Sequence, residues 1–404
     1  MKIVGIVAEY NPFHKGHAYQ IHKVREIYGE DTAVVCVMSG DFVQRGEPAI
    51  FSKYARAEAA VRCGADLVLE LPVHISVGSA ERFARGAVEI LGKMGVVDIL
   101  AFGSETGEVE PLFQTAHALL TEEFQECVRG HLQTGCSYPV ARSAALRDLM
   151  NGSDATTVPN DNLGVEYIKA IIDMDYAMTP VAIQRVGAMH DEQFDGEMKS
   201  GSEIRKLIRD GVSYEEYVPK AAYDIYQRET EAMRGPVSPA VLETAILSRL
   251  RMLPLSAFAK LPDAAEGLER RLFTACRNES SLEGIYDTAK SKRYTHARIR
   301  RMTMGAALGI ERADYGIPCE YARVLALNSR GARVIKLVNE QGTLSMVTKP
   351  AAIRNMSDEQ QLLFAKSADA HDLYVLGYGH MELRKGEMDW KESPRFISTE
   401  TMTN

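Results

Sequence analysis

The residues best equipped for chemistry stand together near the amino end, in Tyr10-Asn11-Pro12-Phe13-His14-Lys15-Gly16-His17. Two side-by-side imidazoles can donate hydrogen bonds to non-bridging phosphate oxygens. Such donors strengthen as charge builds at phosphorus, so they favour a transition state over its ground state. Gly16 lets backbone approach a ligand with no Cβ in the way, and Pro12 restricts the entry to the turn. A second polar stretch runs from Ser39 through Gly40-Asp41-Phe42-Val43-Gln44-Arg45-Gly46-Glu47 to Pro48, too long and too polar for a mere connector. Arg45 can pair with a phosphate or carboxylate in fork geometry, and Asp41 and Gln44 can orient a small substrate or a base. A third, Ser200-Gly201-Ser202-Glu203-Ile204-Arg205, reads as a helix start with Ser202 as cap and Arg205 in its first turns, a second phosphate-holding device. A fourth carries Lys290, Lys292, Arg293, Arg298, Arg300 and Arg301 around Tyr294 and His296. Cations for phosphates beside a stackable ring make it the best RNA-contact candidate. Taken alone, each stretch has a plainer reading: a capped helix, an internally bridged loop, a solvated helix face.

Position separates these readings. Ile3–Val7 is an apolar run that reads as a buried strand, and Ala18, Ile21, Val24 and Ile27 are spaced like one helix face. The imidazoles therefore fall between a strand's carboxyl end and a helix's amino end, where free N–H groups and the helix dipole favour phosphate. Further strands are predicted at Ala33–Met38, Leu67–Leu71, Val96–Phe102 and Thr179–Val186. Ser52 and Ser79 are placed to cap helices between them, and Asn160 or Asn162 to cap one over about Leu163–Met174. Residues 105–158 read as a largely helical insertion, with Leu112, Ala116, Leu119 and Leu120 on one face. Alternation of this kind implies a parallel sheet with helices on both faces. Ligands should gather at the strands' carboxyl ends, which carry Glu9–His17, Ser39–Arg45, Glu70–Pro72, Gly103-Ser104, and Arg185 with Gly187, His190 and Asp191.

Beyond a charged linker at Tyr214–Pro239 come helical patterns at Val241–Leu253, Leu268–Cys276 and Ala297–Ala307. A strand pair follows, Ala322–Leu327 and Val334–Val338, turned at Asn328–Ala332. Thr348–Asn404 carries little signal, and its last residues are expected to fray. The predicted architecture is α/β: a Rossmann-like parallel-sheet domain over 1–230 and a mainly helical C-terminal domain over 231–404 that carries the RNA-contact candidate.

Bulk properties agree. At 404 residues, two domains are the default. The net charge of −8 argues against a uniformly basic nucleic-acid binder, yet residues 241–340 hold 17 Lys+Arg against 11 Asp+Glu. That asymmetry suggests that one domain meets a polyanion. No apolar run nears the roughly 20 residues of a membrane span, and the chain opens on a strand rather than a signal peptide. The six scattered cysteines, with Cys36 and Cys63 in apolar surroundings, fit reduced thiols in a cytoplasm.

Tyr10–His17 resembles the H-x-G-H signature of the nucleotidylyltransferase superfamily, and Ser200–Arg205 resembles its distal serine-rich helix start. Ala8–His14, Gly40–Ala49, Pro159-Asn160-Asp161, Lys292-Arg293-Tyr294-Thr295 and Leu325-Ala326-Leu327 resemble one family more closely, the bacterial tRNA(Met) cytidine acetate ligases. Two stretches depart from that family's pattern: Gly187-Ala188-Met189-His190-Asp191, and Gly201-Ser202 inside the serine-rich start. The resemblance implies that ATP and acetate give acetyl-adenylate and pyrophosphate. The acetyl group then passes to N4 of the wobble cytidine of elongator tRNA(Met). It implies an ATP site of Val7, Ala8, Glu9, Tyr10, Asn11, Pro12, Phe13, His14, Lys15, Gly16, His17, Ala18, Tyr19 and Gln20, with Gly103, Asn160 and Arg185. His14, His17 and Lys15 would be catalytic, with Arg185 and Arg205 helping to hold the phosphates. Asp41, Gln44 and Arg45 would serve the acyl or cytidine side. Mg2+ is expected with the ATP, no resident metal site is expected, and neither a membrane nor a protein partner is implied. Two other readings stay open: nucleotidyl transfer to a small molecule, and a non-catalytic RNA-binding factor on the same fold.

Overall fold

The computed structural model describes residues 1–136, 138–150, 159–185, 198–265, 267–291 and 294–398. Its centre is an eight-stranded sheet. Along the chain the strands are β1 (Ile3–Ala8), β2 (Ala33–Ser39), the two-residue hairpin arms β3 (Phe42–Val43) and β4 (Glu47–Pro48), β5 (Leu67–Leu71), β6 (Ile99–Ser104), β7 (Thr179–Gln184), β8 (Tyr321–Leu327), β9 (Ser345–Val347) and β10 (Arg395–Phe396). The main sheet runs β10-β8-β5-β2-β1-β6-β7, with β9 also on β8. All of its pairings are parallel except β5 with β8. β2 and β5 are buried along their whole length, as expected of strands covered on both faces. Succession runs from β1 to β2 and β5 on one side and returns to β6 and β7 on the other. The crevice of this topological switch therefore opens at the carboxyl ends of β1 and β6, beside the H-x-G-H turn.

Most predicted elements form where their capping signals lie. Ser52 Oγ accepts the N–H of Ala55 at the start of helix Lys53–Arg62, and Ser79 caps helix Ala80–Lys93. The insertion folds as helices Val109–Leu119, Glu122–Leu132 and Tyr138–Leu149, with Leu112, Ala116 and Leu119 in the core of one sheet face.

Two expectations are overturned. The linker contains helix Lys220–Glu231, whose Ala222, Ile225, Tyr226 and Glu229 are buried. Its apolar spacing was masked by the charged residues around it. The β-branched run Val334–Val338 is part of helix Ser329–Gln341. Asn328 Oδ1 accepts the N–H groups of Arg330 (2.9 Å) and Gly331 (3.0 Å), and Gly331, Val334 and Val338 share the buried face. Local capping and burial there outweigh β-propensity. The chain beyond residue 231 packs in two places. Residues Val237–Ile310 build a separate helical core with part of helix Asp358–Val375, but β8, β9 and β10 return to the first domain's sheet.

That return is fixed by a buried charge cluster. Lys53 Nζ lies 2.7 Å from Glu70 and 2.6 Å from Asp389. Arg323 on β8 lies 2.6 Å from Asp389, and Tyr54 OH donates to Asp389 at 2.8 Å. His371 Nδ1 meets Asp41 Oδ2 at 2.8 Å. All six charged members and Tyr54 are buried, so each charge depends on its partners rather than on water.

Candidate nucleotide and acyl-transfer site

The H-x-G-H turn is itself a helix cap. His14 is the N-cap of helix Lys15–Tyr28 with extended backbone, and the capping is reciprocal. Gly16 N–H donates to His14 Nδ1 (3.1 Å), and His14 N–H donates to His17 Nδ1 (3.2 Å). An imidazole nitrogen that accepts carries no proton, so in each neutral ring the proton sits on Nε2. The rings stack with centroids 3.7 Å apart at 22°. Two parallel Nε2–H donors are thereby presented from a helix amino end. Burial, with Arg185 and Arg205 close by, pushes the His14 pKa down to about 3. Burial, His14 and Arg185 hold His17 well below its ordinary range. Both rings are therefore neutral donors at physiological pH, oriented before any ligand arrives.

The rest of the stretch braces this pair. Tyr10, at φ +47, packs its ring edge-on against His17 at 4.8 Å. Phe13 N–H donates to Tyr226 OH (2.9 Å), and Tyr226 stacks on Phe51 at 4.5 Å. The helix taken for a linker thus positions the motif. Asn11 Oδ1 accepts the N–H of Ile50, and its carbonyl accepts from Arg205 Nη1 at 2.6 Å. Arg56, fully buried, donates to the carbonyls of Glu9, Ser39, Gly40 and Phe51. It ties the ends of β1 and β2 together, a role without local signature because its acceptors come from three separate stretches.

His14, Gly16 and His17 line one cavity with Gly103, Gln184 and Arg185. Tyr19 and Gln20 complete the helix side. Arg185 Nη1 donates to Asn160 Oδ1 at 3.3 Å, and a Cβ on Gly103 would lie 3.4 Å from the Arg185 stem. Asn160 is in turn held by Glu105. Of the residues singled out for phosphate and nucleotide, His14, Gly16, His17, Tyr19, Gln20, Gly103 and Arg185 share this cavity, whereas Val7, Ala8, Glu9, Tyr10, Asn11, Pro12, Phe13, Ala18 and Asn160 do not line it and Lys15 opens the helix beside it. Gly187, His190 and Asp191 lie outside the described residues.

Ser200, not Ser202, caps helix Gly201–Arg209, in a reciprocal box with Glu203. The Ser-x-x-Glu spacing carried that signal. A Cβ on Gly201 would come within 3.2 Å of the Asn11 carbonyl and 3.8 Å of His14, so this helix start lies against the H-x-G-H turn. Arg205 is partly committed, to Asn11 O and to Ser202 Oγ (3.0 Å).

Comparison with known proteins decides the family. Residues 1–389 match the HIGH nucleotidyl transferase family. The tRNA(Met) cytidine acetate ligase of Alkaliphilus metalliredigens is 36% identical over 420 residues, which cover 98% of this chain and 99% of that protein. That of Acetivibrio thermocellus is 34% identical over 423 residues, with 97% and 99% covered. This chain belongs to the tRNA(Met) cytidine acetate ligase family. The crystal structure of Thermotoga maritima TmcAL bound with alpha-thio ATP is similar at a TM-score of 0.91, with 32% identity over 99% of this chain and 100% of that one. Its apo form matches at 0.91 and 33%.

Within the ligase fold, the loop expected on the acyl side divides in two. Asp41 does not face the crevice. It is buried, with Oδ1 accepting Lys53 N–H (2.8 Å) and Oδ2 on His371. Its carboxylate is spent on the charge cluster. The Gln44 amide braces Gly78 O at 3.3 Å, and its backbone N–H donates to Glu9 Oε1 at 2.9 Å. Arg45 is exposed at the loop tip. Next to it, Gly46 adopts φ +72, and a Cβ there would sit 2.8 Å from the backbone carbonyl of Arg300. The loop between Ser39 and Pro48 therefore rests directly on helix His296–Ala307. Gly46→Ala is expected to cost about 1–3 kcal/mol by left-handed strain and displacement of that helix, measured as a shift in urea midpoint. An unchanged midpoint would remove the contact from the account.

The basic helix offers fewer cations than its sequence suggests. Arg298 Nη2 donates to Asp263 O (2.8 Å), and Arg301 is largely buried beside the Asp263 carboxylate at 3.9 Å. Arg300 is about one-third exposed and loosely paired with Glu283 at 3.5 Å, and Lys290 is exposed. Lys292 and Arg293 lie outside the described residues.

Proposed function

We propose that this chain couples ATP and acetate to form acetyl-adenylate and transfers the acetyl group to N4 of the wobble cytidine of elongator tRNA(Met). The observation that carries this reading is the stacked, neutral imidazole pair aimed from a helix amino end into the cavity shared with Gly103 and Arg185. It occurs in a chain alike, over nearly its full length, to a protein crystallised with an ATP analogue.

Acetate attacks the α-phosphorus and pyrophosphate leaves. No protein nucleophile is needed, so positioning and charge stabilisation supply the rate. The Nε2–H groups of His14 and His17 stabilise the phosphoryl oxygens as charge develops. Arg185 holds the phosphate chain with Asn160 behind it, Lys15 adds positive charge at the helix start, and Gly16 and Gly103 give the nucleotide room. Arg45 is the cation free to meet the acetate carboxylate, and Lys290 and Arg300 extend the surface toward tRNA. Mg2+ would enter with the ATP, held by its phosphates; among the described residues no carboxylate lines the nucleotide cavity. The work is cytoplasmic, where tRNA and reduced thiols coexist. Among the described residues no helix is long and apolar enough to cross a membrane.

The direct test incubates the protein with ATP and labelled acetate, with and without tRNA. Label is expected in RNA only when ATP and tRNA are both present. Turnover without tRNA into a nucleotide-retaining product would instead identify transfer to a small molecule. Arg185→Ala is expected to raise the KM for ATP at least about tenfold through loss of a charge-assisted phosphate contact. An unchanged KM would take Arg185 out of the site.

A further inference from the structure

The crevice has two halves, and only one is occupied by the nucleotide machinery. The imidazole pair, Gly103 and Arg185 line the half between β1 and the β6–β7 edge. Glu9, one residue past β1, does not line that cavity. It belongs to the half between β1 and β2, where Gln44, in the loop past β2, donates its N–H to one carboxylate oxygen, Oε1, at 2.9 Å. Arg56 clamps the Glu9 carbonyl to those of Ser39 and Gly40, so the side chain projects from backbone tied on both sides. The loop that holds it, through Gly46, rests on the basic helix. A nucleic acid lying along that helix would therefore run beside the loop whose Gln44 N–H holds Glu9.

Chemistry distinguishes the groups in this half-site. A carboxylate accepts from the exocyclic amine of cytosine, whereas arginines pair with carboxylates. Acetate is repelled by Glu9 and drawn to Arg45, while a cytidine N4 amine is drawn to Glu9. The N4 lone pair is delocalised into the ring, so the amine is a weak nucleophile that must lose a proton as it attacks.

Resting on the ligase reading, we propose that Glu9 is the general base of the transfer step, accepting the N4 proton of the target cytidine. The N4 nitrogen bonds to the acetyl carbonyl carbon and the bond from that carbon to the phosphate oxygen breaks. The electron pair leaves with AMP, and the N4 proton passes to Glu9 and then to water. Burial raises the Glu9 pKa, against the Gln44 N–H and the charges of Arg205, Arg45 and Arg56. A carboxylate raised in this way is a better base near neutrality. The buried Tyr167 is a further titratable group close enough to Glu9 to be affected by its charge.

The test separates the half-reactions. Glu9→Gln keeps an oxygen for the Gln44 N–H but cannot take a proton. Acetyl transfer to tRNA from supplied acetyl-adenylate should fall at least about 100-fold in single turnover, a loss at least about tenfold larger than any loss of acetate-dependent ATP–pyrophosphate exchange. The wild-type transfer rate should rise with pH through the Glu9 titration, and that acid limb should vanish in the variant. Glu9→Asp should recover part of the rate. Transfer within threefold of wild type in Glu9→Gln, or an equal loss of exchange and transfer in both variants, overturns the proposal. Failure of the wild-type protein to transfer from acetyl-adenylate would overturn the ligase reading itself, a separate result.

Discussion

His17→Ala is expected to lower acetate-dependent ATP–pyrophosphate exchange by about 10²–10³-fold, the usual cost of one preorganised donor to a developing oxyanion, while tRNA affinity is retained. The substitution removes the Nε2–H donor, the acceptor for His14 N–H and the ring that holds His14 by stacking. His14→Asn separates these contributions. Asparagine is a strong N-cap, so the helix start survives while the second donor is lost, and a comparable fall in exchange with little change in thermal stability is expected. Exchange within threefold of wild type in both variants would sink the imidazole account. The pH dependence carries its own check. With His14 held at about 3 and His17 held well below its ordinary range, the exchange profile should show no inflection at the ordinary histidine value of 6.5. The linkage sign follows. The unfolded rings bind protons below their ordinary 6.5 and the folded ones do not, so this pair subtracts stability as pH falls below 6.5.

Asp389→Ala should be the most destabilising single change outside the site, by about 3–5 kcal/mol in chemical denaturation, because it leaves Lys53 and Arg323 buried with Glu70 as their nearest remaining carboxylate. A loss below about 1 kcal/mol would mean that the cluster relaxes or admits water and does not hold β8 to β5. Two further members set the pH window. Burial opposes ionisation of Asp41, but His371 and Lys53 outweigh it and its pKa is lowered. Its contribution is present above the ordinary carboxylate value and lost as pH falls through the folded one. Burial also opposes protonation of His371, but Asp41 and Asp389 outweigh it and its pKa is raised. Its contribution is complete below 6.5 and lost as pH rises through the folded value. Stability should therefore decline at both ends, and the alkaline decline should move to lower pH in Asp389→Ala, where one of the carboxylates supporting His371 is gone. An unmoved alkaline limb would detach His371 from the cluster.

The sequence by itself determined what depends on neighbours along the chain. Apolar runs separated by capped helices dictate a parallel sheet, and the spacing in His14-Lys15-Gly16-His17 places both imidazoles on one turn at a strand's end. Ser52, Ser79 and the Ser200–Glu203 box mark helix starts because a cap and the N–H it receives are three residues apart. The tertiary structure decided which side chains are left to act. Asp41, Gln44 and Arg45 are indistinguishable as polar loop residues, yet His371, 330 positions away, takes Asp41 into a buried pair while Arg45 remains in solvent. Asp263, likewise distant along the chain, takes up Arg298 through its carbonyl and Arg301 beside its carboxylate, while Lys290 stays exposed. Asp389 sits in a stretch without periodicity and finds its partners only after β8 has come back antiparallel to β5. A cap is a local hydrogen bond and shows in spacing. A buried ion pair is chosen by which distant strand or helix arrives beside it, and that choice is made by packing of the whole chain.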